Sequence, residues 1–109
     1  MAKYMALFVG KPGAARPDAA TAAKGMQAWG EWMARHADHL VDTGGPLGGT
    51  KKVSAGGIAD IQNSIGGYVI VEAENHDAAA RMFEGHPQFT IFPGEGVELM
   101  PILAIPTGA

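Results

Sequence analysis

The segment YVIVEAE (68–74) constrains the fold more than any other stretch of this chain. β-Branched and aromatic residues dominate it, which favours an extended backbone. A period of two sends Tyr68, Ile70 and Glu72 to one face and Val69, Val71 and Ala73 to the other. Asn75 follows as the N-cap of a short helix, HDAAARMFEG, with Asp77 in its first turn and Gly85 at its end.

The rest of the chain is arranged around that strand. YMALFV (4–9) reads as a strand buried on both faces, closed by Gly-Lys-Pro-Gly. Asp18 or Thr21 is placed to cap a helix running to Val41, with Met26, Trp29, Met33, Ala37 and Leu40 on one stripe and Trp32 and His36 beside it. Gly25 and Gly30 each cost such a helix about 1 kcal/mol relative to alanine, which suggests that another backbone comes close, with loose packing as the rival explanation. The spacing predicts Gly44 as a left-handed helix C-cap, with Pro46 preventing continuation. TKKVSA (50–55) is a second strand, GGIADIQNSIGG (56–67) a turn-rich connection, and GVELMPIL (96–103) the last strand. Pro101 lacks an N–H, so that strand belongs at a sheet edge.

The resulting order, β-α-β-β-α-β, predicts a single α+β domain over 1–109 with the ferredoxin-like arrangement. Two crossover helices cover one face of such a sheet and leave the other bare. Charged residues are only 17% of the chain, against about 25% in a typical domain. An apolar bare face on so sparsely charged a domain predicts a homodimer, built as an α+β barrel from two sheets.

Composition also excludes classes of function. A net charge of −3, with Lys and Arg scattered, argues against nucleic-acid and anionic-membrane binding. Without cysteine there are no disulfides, zinc-thiolate sites or thiol nucleophiles. No segment approaches the ~20 apolar residues that span a bilayer, and the N-terminal apolar run is too short for a signal peptide. A cytoplasmic protein is the simplest expectation.

The order GGYVIVEAENHDAAARMF (66–83), then His86-Pro87, then GEGVELMPIL (94–103) resembles the second half of the YCII-related family and its DGPF-type relatives. YMALFV, a long tryptophan-bearing helix and LVDTGGPL (40–47) match the first half. The resemblance implies a dimeric α+β barrel with a small pocket in each protomer. In some members it implies a dyad between a first-helix histidine and the aspartate of an Asp-Pro pair; one such relative removes chloride from a chlorinated hydroxyquinol. This chain departs at both ends, with Ala28 near the histidine position and His86 in place of the aspartate. Other members are encoded beside sigma-factor-like proteins, which implies a non-enzymatic partner role.

His86 is the leading candidate for chemistry, as a general acid or base near neutral pH. The competing role is a helix C-terminal cap, where the dipole favours imidazolium and Pro87 ends the helix. Glu98 and Glu72, on neighbouring strands, are the carboxylates placed to meet it. Trp29, Trp32, Tyr68 and Phe89 are the candidate substrate-binding residues, with Trp29 and Met33 leaning to core and Trp32 to pocket or interface. His36 and His39 share a helix end with Asp38 and Asp42, but no third or fourth metal ligand is identifiable. GGPLGGTKK (44–52) lacks the Gly-Lys-Ser/Thr order and the strand-to-helix context of a phosphate loop. No metal, nucleotide or redox cofactor is implied. Two functions fit: a cofactor-independent proton-transfer enzyme of isomerase or lyase type using His86 and Glu98, or a non-catalytic dimeric module binding a small molecule or protein.

Overall fold

The computed structural model describes residues 1–11 and 14–106. Its frame is a four-stranded antiparallel sheet in the order β2-β5-β1-β6, made of β1 (Ala2–Val9), β2 (Leu40–Pro46), β5 (Ile65–Ala73) and β6 (Gly96–Pro101). Helix α1 (Ala19–Arg35) connects β1 to β2, and α2 (His76–Arg81) with α3 (Pro87–Thr90) connects β5 to β6. This is the ferredoxin-like α+β topology.

Alternation along the two central strands builds the core. Tyr4, Ala6 and Phe8 of β1 meet Val69, Val71 and Ala73 of β5 on the helix-covered face, joined by Trp32, Ala79 and Phe83. Burying these side chains supplies the main stabilising term, about 25 cal/mol per Å² of apolar surface. Met5, Leu7 and Ile70 alternate onto the open face, where they are half-buried rather than enclosed. β6 lies at the sheet edge, as Pro101 requires.

Local caps match the sequence. Asp18 accepts from the Thr21 N–H at 2.8 Å, and Asn75 accepts from the Ala78 N–H at 2.8 Å, each fixing a helix start. Gly25 permits a close approach of a different kind from the one expected. A Cβ there would lie 2.4 Å from the Phe92 ring, so an aromatic side chain, not a backbone, fills the notch.

The first half is corrected in two places. Helix α1 ends at Arg35, not Val41; a 3-10 turn (Ala37–His39) leads directly into β2. Leu40 satisfies the helical stripe and a strand equally well, because it reaches the core while pairing with Val71. The His39 ring, donating from Nδ1 to the Glu72 carbonyl at 2.9 Å, fastens the turn to β5. Gly44 is left-handed at φ 61, but in an irregularity of β2 instead of a helix cap. A Cβ there would lie only 1.9 Å from the Tyr68 carbonyl oxygen, so the β2–β5 pairing itself requires glycine.

The second correction concerns TKKVSA. It forms β3 (Thr50–Ser54), which pairs with β4 (Gly57–Ile61) in a separate two-stranded sheet and takes no place in the main one. β4 lies inside the segment expected to be turns. Val53 and Ile58 on this hairpin are 75% and 72% exposed. A lone two-stranded hairpin is marginal in water, so this arm gains from a neighbouring surface.

Candidate functional site

A cavity of about 450 Å³ opens between α1 and the β2–β5 edge. Met26, Trp29, Gly30 and Met33 form its helix wall, Phe8 its floor, Thr43, Pro46 and Tyr68 its strand side, and Gln88 and Phe92 its far end. No acidic, basic or histidine side chain is among the lining residues. A volume of this size falls within the range of small-ligand sites, and an uncharged aromatic lining suits a neutral, flat molecule.

Trp29 and Tyr68 therefore stand at the cavity, whereas Trp32 and Phe89 do not line it. The roles of the two tryptophans are exchanged relative to the sequence expectation. Trp32 is only 1% exposed and donates its indole N–H to the Met82 carbonyl at 2.8 Å, so it is core. Trp29 and Met33 pack on the core from the side and expose their remaining surface to the cavity. A stripe defined by steps of three and four leaves its rotation undetermined, and the packing of α1 against the sheet sets it. The cavity side chains missed from sequence are Phe8, Thr43, Pro46, Gln88 and Phe92. Phe8 reads simply as strand core, and the others come from a bulged strand, the four-residue α3 and the loop after it, which are too short or irregular to carry a readable period.

His86 lies immediately behind this wall. It is 1% exposed and enclosed by the rings of Phe8, Trp29, Trp32 and Phe83, with the Trp29 ring centroid at 4.4 Å. It is not a helix C-cap. Gly85, at φ 69, makes the turn, and His86 caps the N-terminus of α3 by accepting from the Gln88 N–H at 3.0 Å through Nδ1. Because a backbone N–H can only donate, Nδ1 is unprotonated and the hydrogen of the neutral ring sits on Nε2. Nε2 is buried and has no hydrogen-bond partner among the described residues. Burial, with a smaller contribution from nearby His36, pushes the His86 pKa down to about 4.

Neither candidate carboxylate reaches it. Glu98 pairs with Leu7 and Glu72 with Lys3, so both alternate onto the open face of the sheet, opposite the core that holds His86. His39 is held by the Glu72 carbonyl, and His36 is kept below its usual pKa by partial burial, then by Arg35 and His39. His76 is exposed at the start of α2, stacked on Tyr4. Among the described residues no group of three or more His, Asp or Glu side chains could hold a metal ion. No helix of the described residues is long and apolar enough to cross a membrane.

An antiparallel βαββαβ sheet, helices on one face and an aromatic cleft at one edge define a ferredoxin-like α+β domain with a ligand-sized cavity. The chain belongs to the YCII-related domain family, whose profile matches residues 2–103. Comparison with curated proteins finds no sequence match. Among solved structures, the chain is similar to 5-chloro-2-hydroxyhydroquinone dehydrochlorinase from Burkholderia phenoliruptrix AC1100, in complex with 2,5-dihydroxybenzoquinone. The TM-score is 0.56 and the identity 16%, over 90% of each chain, a likeness that shows the fold.

Proposed function

We propose that this chain is a dimeric small-molecule-binding protein whose ligand is a neutral, flat aromatic compound. The observation that carries this reading is the uncharged, aromatic-walled cavity of about 450 Å³. A protein of the same fold holding a small quinone supports it. His86 serves the site structurally, by capping α3 and backing the cavity wall.

Gly30 provides the test. It lines the cavity, and a Cβ built on it meets nothing within 4 Å, so a leucine there enters open cavity space. Helix propensity improves by up to about 1 kcal/mol on replacing glycine, so the fold tolerates the change. Gly30→Leu is expected to weaken binding of the neutral aromatic ketone 1-tetralone at least tenfold by calorimetry, without lowering the melting temperature. Equal binding by both proteins, or no binding by the wild type, sinks the proposal.

The dimer is the second part. Met5, Leu7 and Ile70 on the open face, Met100 at 39% exposure and the projecting β3–β4 arm form apolar surface that a second copy would cover. Light scattering at micromolar concentration is expected to give twice the chain mass for wild type and the single mass for Leu7→Glu. A monomeric wild type rejects this assembly.

One observation favours catalysis as the alternative. The unpartnered Nε2 of His86 is separated from the cavity by one layer of rings, since Phe8 and Trp29 touch both. A proton-transfer enzyme would catalyse exchange of the α-hydrogens of 1-tetralone with D2O, and His86→Asn would abolish it. The binding reading expects no protein-dependent exchange.

A further inference from the structure

We infer that Gln88 reads a hydrogen-bond acceptor on the ligand, so that the cavity selects neutral aromatic molecules carrying a carbonyl-type oxygen. This inference rests on the small-molecule reading above and narrows its ligand class.

The polar side chains in the lining are Thr43, Tyr68 and Gln88, and Gln88 is the one fixed from several directions. Its backbone N–H donates to His86 Nδ1 at 3.0 Å, and its carbonyl accepts from the Gly94 N–H at 3.0 Å. A Cβ on Gly94 would come 2.4 Å from that carbonyl oxygen, so the glycine makes this closure possible. The side-chain Oε1 accepts from the Trp29 indole N–H at 3.1 Å.

That last bond settles the direction of the amide. An indole N–H is a donor only, so the oxygen must face Trp29 and the amino group must turn away from it. Among the described residues the amino group forms no hydrogen bond within the protein. Gln88 thus offers two N–H donors from a rigid mount, beside the hydroxyls of Thr43 and Tyr68. A ligand oxygen that accepts from it gains a directed bond, and a hydrocarbon of the same shape leaves the donor unmet. With no cation among the lining residues, nothing compensates the desolvation of a carboxylate, so the acceptor belongs to a neutral molecule.

The surroundings give the ligand an orientation. Gln88 and Phe8 also border a smaller cavity of about 310 Å³, whose lining includes Lys11, Asn63 and Ser64. The hydrocarbon part fits against Trp29 and Met33, and the oxygen lies at the Gln88 end of the larger cavity. His86 is a positioning residue here: by holding the Gln88 N–H it sets the first turn of α3 and hence the amide.

The experiment compares 1-tetralone with tetralin, which has the same ring skeleton and no oxygen, by calorimetry at pH 8. Wild type is expected to bind the ketone about five-fold more tightly, the effect of roughly one net hydrogen bond. Gln88→Met is expected to bring the ketone-to-tetralin ratio to about one, whatever the change in tetralin affinity itself. Gln88→Glu should do the same, because its carboxylate still accepts from Trp29 but has no N–H to give. Circular dichroism on both variants confirms that the fold is kept. If wild type binds both compounds equally, the inference is overturned while the binding function stands. Ketone preference surviving in both variants overturns it as well, by assigning the reading to another donor. If neither compound binds wild type, the small-molecule reading falls and this inference with it.

Discussion

Trp32→Ala is expected to lower the unfolding free energy by about 3–5 kcal/mol, the range for deleting a buried aromatic side chain. Trp32 is 1% exposed, packs against Phe83 and His86, and satisfies its indole N–H on the Met82 carbonyl. Its removal therefore leaves a cavity in the layer joining α1 to α2, together with a carbonyl short of its donor. Native stabilities are typically about 5–15 kcal/mol, so such a loss brings the protein close to unfolding at ordinary temperatures. Trp29→Ala removes a half-buried ring at the cavity wall and is expected to cost clearly less, while abolishing 1-tetralone binding. Urea unfolding of the two variants side by side checks the contrast. Equal losses would mean that the two tryptophans share one structural role.

The second large effect is acid sensitivity centred on His86. Its folded pKa is about 4, below the value near 6.5 of an unfolded chain. The unfolded state thus takes up the proton first as pH falls. Stability is at its full value above about pH 6.5, declines as pH falls from there toward 4, and levels off below. The lost contribution is on the order of 3 kcal/mol. His36, also below its usual pKa through burial, adds to the same trend, and Asp18, lowered by its capping bonds to Thr21, weakens the fold at still lower pH. His86→Asn separates these contributions, because an asparagine oxygen can still accept from the Gln88 N–H but does not titrate. Denaturant melts between pH 7 and 4 are expected to show a shallower decline for this variant than for wild type. Parallel declines would place the acid-labile group elsewhere.

The position of His86 also bears on the family chemistry. The YCII-related domain here carries Ala28 and His86 where the resemblance would place a His–Asp dyad. In the folded chain His86 meets aromatic rings and a backbone N–H, and both nearby strand glutamates face away. The ring position is thus used to hold a loop-helix junction and the wall of the cavity.

Several features were legible in the residues alone. The alternation in YVIVEAE set the buried face of β5, because a period of two fixes which side chains share a side, whereas the apolar run YMALFV read as buried on both faces and encloses only one of them. Asn75 marked one helix start and the pair Asp18 or Thr21 the other, because a short side-chain oxygen before a helical run can accept from its free N–H groups; the structure chose Asp18. Pro101 placed β6 at the edge, and the element order led to the ferredoxin-like sheet.

Other features depended on contacts distant in sequence. Leu40 and its neighbours left the helical pattern because β5 offered a ladder at that edge, and TKKVSA became a separate arm because LVDTGGP took the place beside β5. The choice between Trp29 and Trp32 for the cavity rested on the rotation of α1 against the sheet, which a stripe of two adjacent aromatics leaves open. Whether His86 ended one helix or began the next depended on the left-handed Gly85 turn and on the Gln88 N–H coming within 3.0 Å. Read alone, the residues establish which positions are apolar, where chain direction can change and which side chains alternate together. Which surfaces those residues face follows from folding, because that choice is made by competition among packings whose partners lie far apart along the chain.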